Sequence, residues 1–118
     1  MPELPEVETL CHQLAPMIRD TAILRLEILD AKLPVIPELP GKAVRNLERM
    51  GKRIHIRLDD GTDLSLHLRM SGRLLWQTTK RALPHTRMIL SFDAGHLLLV
   101  DPRRFATLTA GCRQAAGQ

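Results

Sequence analysis

Tyrosine is absent from this sequence, and one tryptophan with two phenylalanines brings the aromatic share to only 3%. A protein that grips single strands by stacking successive bases on aromatic rings needs more rings than that. Cysteine is scarce as well. Cys11 and Cys112 lie far apart with no CxxC spacing, which argues against a zinc site or a disulfide framework and leaves two buried or idle thiols. No apolar run reaches the length of a membrane span. The first residues lack the basic start and apolar stretch of a secretory signal, so the expected compartment is the cytoplasm. Internal repeats, linkers and low-complexity blocks are missing. The 118 residues therefore read as one domain, long enough to bury a core.

Basic charge is what the sequence does have. Seventeen Lys and Arg against thirteen Asp and Glu give a net charge of +4. A polyanionic partner fits that balance, and nucleic acid is the commonest one, but charge alone does not choose it.

The first segment reads as a helix over residues 5–18. Pro5 suits a first turn, where its missing N–H has no partner to lose, and the acidic residues suit the positive end of the helix dipole. Val7, Leu10, Leu14 and Met17 recur at helical spacing and define one apolar face. The period then changes to two. Strands are expected over 23–29, 43–49, 53–58, 64–68, 73–76, 88–92, 96–100 and 105–109, with Asp59-Asp60-Gly61 and Asp93-Ala94-Gly95 as tight turns. The proline-bounded stretch 33–40 reads as irregular or edge-like, because proline cannot donate to a ladder. One leading helix and eight short strands predict a mainly β fold, a β-sandwich with a flanking helix, over residues 1–110. Residues 111–118 have little to pack and are expected to fray.

Chemistry concentrates in the opening Met1-Pro2-Glu3-Leu4-Pro5-Glu6. Cells remove an initiator methionine before a small residue such as proline, which leaves Pro2 as a free secondary amine. A terminal amine titrates near about pH 8, so a neutral, nucleophilic fraction exists at neutral pH. Attack of a secondary amine on a sugar C1′ gives an iminium ion, a permanent electron sink that promotes loss of neighbouring phosphates. Glu3 beside the amine is placed to protonate the ring oxygen and shuttle protons. Read in isolation, the same residues are a plain helix entry.

Four motifs carry a resemblance. Met1 to Thr9, Met-Pro-Glu-Leu-Pro-Glu-Val-Glu-Thr, resembles the start of the formamidopyrimidine-DNA glycosylase family. Met50-Gly51-Lys52-Arg53 resembles the hairpin carrying that family's essential lysine. His67-Leu68-Arg69-Met70-Ser71-Gly72 resembles its His-Leu-Gly-Met-Ser-Gly segment, and Asp101-Pro102-Arg103-Arg104-Phe105 its Asp-Pro-Arg-Arg-Phe-Gly motif. All four occur in the family's order across nearly the whole chain. The fold the resemblance implies, an N-terminal β-sandwich flanked by helices, agrees with the pattern reading.

The resemblance also implies roles. Pro2 is then the Schiff-base nucleophile, Glu3 the general acid/base, Glu6 a supporting carboxylate, and Lys52 the lysine on the phosphate beside the lesion. Met70, Arg103 and Phe105 match the residues that fill the gap left by an extruded nucleotide, a task suited to an apolar wedge and a guanidinium. Arg104 corresponds to a phosphate clamp, and His67 and His85 fall where the family carries histidines near the DNA backbone. Taken singly, each has a blander reading. Met70 and Phe105 suit a core, Lys52 a solvated turn, Arg104 a surface charge, and the histidines satisfied structural roles.

The implied function is DNA repair: removal of oxidised purines (8-oxoguanine, formamidopyrimidines) from duplex DNA, followed by β,δ-elimination at the abasic site. The implied partner is double-stranded DNA containing oxidised or abasic sites, with no membrane, no metal and no organic cofactor. The family continues with a helix-two-turn-helix domain and usually a zinc finger, and neither has a counterpart within these 118 residues. A partner supplying that C-terminal half is therefore also expected. Two smaller departures stand out. Arg69 replaces the glycine before Met70, and Ala106 replaces the glycine after Phe105, each adding bulk to a loop whose backbone is otherwise unencumbered. Two other readings stay open on the sequence: a non-catalytic DNA-binding or partner-binding remnant of the same family, and an unrelated β-sandwich.

Overall fold

A computed structural model describes residues 4–112. Pro2 and Glu3 lie outside the described residues, and so do the side chains of residues 4–7 and 112. The leading helix, α1, spans Leu4–Ile18. It packs on the second strand through Cys11, Leu14 and Ile18, with Leu10 and Ala15 half-buried beside them. Met17, expected on this face, is 43% exposed. Positions 14, 17 and 18 all suit a helical stripe, and contact with the sheet selects Ile18 over Met17. The helix stops where Asp20 enters the left-handed region at φ 64°. There Thr21 donates both its N–H (3.0 Å) and its hydroxyl (2.7 Å) to the Ile18 carbonyl.

Eight strands follow: β1 Arg25–Ile28, β2 Val44–Met50, β3 Arg53–Leu58, β4 Thr62–His67, β5 Arg73–Gln77, β6 Thr86–Ser91, β7 His96–Val100 and β8 Thr107–Cys112. They form two four-stranded antiparallel sheets, ordered β1-β6-β7-β5 and β2-β3-β4-β8. The chain is the expected sandwich with one flanking helix. Two boundaries differ for identifiable reasons. The first strand is shorter than 23–29 because Ile23 turns aside, donating to the Lys42 carbonyl (2.8 Å) and accepting from Gly41 N–H (2.8 Å). The last strand starts at Thr107, since the residues before it are held in a loop, and it runs on to Cys112. Gly111 pairs with Asp63 and Cys112 with Thr62, so these two residues belong to the sheet and not to a frayed tail.

The core fills the space between the sheets. Ile54, Ile56 and Leu58 of β3 and Leu64 and Leu66 of β4 alternate inward, as their period of two predicts, to meet Met88, Leu90, Leu97 and Leu99. Strand β7 departs from alternation. Leu98 and Val100 point away from the sandwich, where Ile89, Leu75 and Leu83 cover them in a small second cluster. A strand buried on both faces reads as a continuous apolar run, which is what residues 97–100 are. The proline-rich stretch is irregular, as expected, yet Leu33, Ile36 and Leu39 at every third position all enter the main core. Among the exposed large apolar side chains are Met70 and Phe105, on the loops that follow β4 and β7.

Candidate nucleic-acid interface

The β2–β3 hairpin presents Lys52 at its tip. Gly51 precedes it at φ 64°, a left-handed turn that glycine accepts without strain. The tip is fixed from two sides. Arg49 donates from Nη1 to the Gly51 carbonyl (2.9 Å) and from Nε to Glu8 Oε1 (2.8 Å), so one guanidinium ties the hairpin to the first turns of α1. The Arg49 contacts, chiefly hydrogen bonding and with help from His12, hold the Glu8 carboxyl below its ordinary range. On the other side the Lys52 carbonyl accepts from Leu68 N–H (2.9 Å), which anchors the hairpin to the loop after β4. One salt bridge, Arg49 to Glu8, joins α1, which begins two residues after Pro2, to the hairpin that carries Lys52.

Two loops, residues 68–72 and 101–106, are stitched together by Asp101, which is fully buried. The Ser71 hydroxyl donates to Oδ1, Arg103 N–H to the same oxygen (3.1 Å) and Ala106 N–H to Oδ2 (2.7 Å). Burial is the largest single influence on this carboxyl and pushes its pKa up. The donors from Ser71, Ala106, Arg103 and Phe105 together outweigh it and hold the group below its ordinary value. Asp101 is therefore an anion serving as a loop template. Gly72 sits at the crossing point, where an added Cβ would lie 2.7 Å from the Leu68 carbonyl oxygen and 3.2 Å from Ala106 Cβ. A Cβ here would collide with the backbone of its own loop and crowd the facing one.

From that base project Met70, 60% exposed, and Phe105, 45% exposed. Neither is a core residue. The Arg103 guanidinium lies over the Phe105 ring at 5.4 Å, so cation and ring form one unit. The structure thus gathers Lys52, Met70, Arg103 and Phe105, which the sequence spreads over 54 positions, onto two linked loops and one hairpin.

The remaining predicted positions fare differently. His67 ends β4 opposite Arg53 of β3 and Thr107 of β8. Its Nδ1 is buried and has no hydrogen-bond partner among the described residues. Burial first, then the charges of Arg69, Arg53 and Lys52, push its pKa down, so the free protein carries it neutral at pH 7. His85 is exposed at φ 68°, and its carbonyl accepts from Asp101 N–H (3.0 Å), a brace for the same loop. Arg104, expected as a phosphate clamp, is already paired within the fold. Its half-exposed guanidinium forks onto Asp30, Nε to Oδ2 at 3.0 Å and Nη2 to Oδ1 at 2.9 Å. Its carbonyl accepts from Lys32 Nζ (2.6 Å). Pro2 and Glu3, the predicted nucleophile and acid/base, are outside the described residues, as is the Glu6 side chain.

Sequence reasoning missed Asp30, Ser71 and Asp101 as organisers. Asp101 carried a signal, an aspartate before proline with free N–H groups just downstream, the composition of a side-chain-capped turn. Asp30, 74 residues from Arg104, carried none. Among the described residues no group of three or more His, Cys, Asp or Glu is placed to hold a metal ion, and no helix is long and apolar enough to cross a membrane.

Comparison with known proteins identifies the family and the fold. The family profile for the formamidopyrimidine-DNA glycosylase N-terminal domain covers residues 1–108. Formamidopyrimidine-DNA glycosylase of Thermosynechococcus vestitus is 39% identical over 98% of this chain and 45% of its own length. That of Moorella thermoacetica is 38% identical over 92% and 43%. Among solved structures, Lactococcus lactis formamidopyrimidine-DNA glycosylase bound to DNA containing an abasic site superposes with a TM-score of 0.80 at 29% identity, over 93% of this chain and 45% of that one. The same enzyme with DNA containing Fapy-dG gives 0.80 at 30% identity, over 92% and 43%. The chain spans less than half the length of the relatives it matches.

Proposed function

We propose that this chain, which belongs to the formamidopyrimidine-DNA glycosylase family and corresponds to its N-terminal domain, carries the nucleophile and the intercalating loops of a DNA repair glycosylase with lyase activity. The observation that carries the reading is the pair of exposed apolar tips, Met70 and Phe105, held rigidly on Asp101 beside the cations Lys52 and Arg103. An exposed apolar wedge flanked by cations is poorly suited to water and well suited to a duplex. The wedge enters a base step and the cations meet phosphate or the unpaired base.

The chemistry proposed follows from the terminus. The Pro2 nitrogen attacks C1′, the bond from C1′ to the damaged base breaks, and the base leaves with a proton. Glu3 protonates the ring oxygen as the sugar opens, leaving an iminium ion between Pro2 and C1′. Loss of a C2′ proton then expels the 3′ phosphate, and a second elimination expels the 5′ phosphate. Lys52, on its braced hairpin, holds phosphate beside the lesion. Oxidised purines such as 8-oxoguanine and formamidopyrimidines are the proposed substrates, and duplex DNA with an abasic site is the proposed intermediate. Solved complexes of related proteins support this choice, since they hold DNA containing an abasic site, carbocyclic 8-oxo-G and Fapy-dG.

A second reading is a binding module without turnover. It draws on the exposed Met70 and Phe105 and the Arg103 guanidinium over the Phe105 ring, which suffice to grip a duplex without any bond-making step. Incubation of the chain with an end-labelled abasic duplex separates the two. Strand cleavage that disappears in Glu3→Gln supports the catalytic reading. Salt-sensitive binding with no cleavage supports the binding module, and neither binding nor cleavage refutes both.

A further inference from the structure

Four non-glycine residues among those described have positive φ: Asp20, Arg69, His85 and Arg104. Three have a contact that accounts for the conformation. Asp20 ends α1 and pairs with Arg45, His85 lends its carbonyl to Asp101, and Arg104 forks onto Asp30. Arg69, at φ 58°, is exposed and makes no hydrogen bond or ion pair with any described residue. An L side chain other than Asn or Asp is strained in this region. Glycine would fit there freely, and the turn itself is closed without Arg69, by Gly72 N–H on the Leu68 carbonyl (3.0 Å).

The location gives the side chain a use. The Leu68 N–H on the Lys52 carbonyl and the pairing of Arg53 with His67 bring Lys52, Arg53, His67 and Arg69 onto one patch, beside the exposed Met70. After burial, Arg69 is the cation that weighs most on the His67 ring, ahead of Arg53 and Lys52. Elsewhere many of the basic side chains are neutralised within the fold: Arg25 and Lys80 by Glu27, Lys42 by Asp60, Arg45 by Asp20, Arg49 by Glu8, Arg57 by Glu48 and Arg104 by Asp30. Lys52, Arg53 and Arg69 have no carboxylate among the described residues. Three uncompensated cations around a histidine with a free buried nitrogen form a patch that repels itself until an anion arrives.

We propose that Arg69 is a phosphate-binding residue for duplex DNA, acting with the cations Lys52 and Arg53 around the neutral His67 ring, and that its strained backbone is retained for that contact. The inference rests on the DNA-binding part of the proposed function and adds a contact to it.

The test uses the full chain, a fluorescent duplex of about 15 base pairs bearing a tetrahydrofuran abasic analogue, and KCl between 50 and 200 mM. Arg69→Gly is expected to weaken binding roughly fivefold to tenfold near 0.1 M salt and to flatten the slope of log K against log salt by about 0.9, one phosphate contact. The same variant is expected to melt about 2–6 °C higher, because backbone strain is relieved. Arg69→Lys keeps most of the slope, and Arg45→Ala, whose partner is Asp20, leaves slope and affinity unchanged. An unaltered slope and affinity in Arg69→Gly overturns the inference, leaving a strained surface arginine. So does a fall in Tm, which assigns the side chain a structural role. If the unmodified chain shows no salt-dependent binding, the reading of function itself fails and this contact with it.

Discussion

The Ser71 hydroxyl donates to Asp101 Oδ1 across 30 residues of sequence, and this one hydrogen bond sets the loop of Met70 against the loop of Phe105. A buried carboxylate that accepts four donors is a stronger fastener than the same number of neutral contacts, because each bond is charge-assisted. It also removes freedom from both tips before any ligand arrives. An intercalating pair gains from that, since loop ordering is otherwise subtracted from binding.

Asp101→Asn puts an amide N–H₂ toward donors that need an acceptor. The expected outcome is a loss of about 2–3 kcal/mol of stability, the range for leaving buried donors unmet. Urea unfolding measures it as a lower midpoint at unchanged slope. Ser71→Ala, which removes one donor and leaves the backbone bonds, is expected to fall by less than half as much.

The Asp30–Arg104 fork predicts a pH signature. The Arg104 guanidinium, then the Lys32 N–H, draw the Asp30 carboxyl from an ordinary value of 3.8 to about 2. The folded form thus holds the anion better than the unfolded form does. The contribution is fully present above about pH 4 and is lost as pH falls through about 2, below which both forms are protonated. Thermal melts of the unmodified chain and of Asp30→Asn, run from pH 6 down to pH 2, are expected to differ most at the upper end and to draw together toward the lower. A gap that stays constant with pH contradicts the fork.

Met70→Ala and Phe105→Ala test whether the exposed tips serve a ligand. Both side chains face water, so stability is expected to change by no more than about 0.5 kcal/mol. Affinity for an abasic duplex is expected to fall by roughly tenfold or more for each, since a stacked or wedged apolar group contributes about 1–3 kcal/mol. Calorimetry and fluorescence anisotropy on the same preparations separate the two effects. Loss of stability without loss of affinity would assign these residues to packing.

Much of the fold was legible because local pattern and tertiary placement agree. The alternation of Arg53 to Leu58 and of Leu64 to Leu68 faces the sandwich core as drawn from the sequence, and His96–Val100 is a strand at the expected limits. The legible part of the site was its tips, whose motifs are contiguous. What the sequence hid is long-range. Met17 and Ile18 are equivalent on a helical wheel until β2 chooses between them, and Arg104 reads as a free cation until Asp30, 74 positions earlier, takes its fork. Strand β8 starts late for the same kind of reason: Asp101 holds Ala106 in a loop that alternation alone would have called strand.

The most direct test of the account is borohydride trapping of the chain on an abasic duplex, with mass spectrometry of the N-terminus and of any adduct. The account predicts loss of Met1 and a reduced covalent adduct on the Pro2 nitrogen. A chain that has lost Met1, binds the duplex and yet traps nothing would contradict the catalytic claim and leave the loops as a binding module.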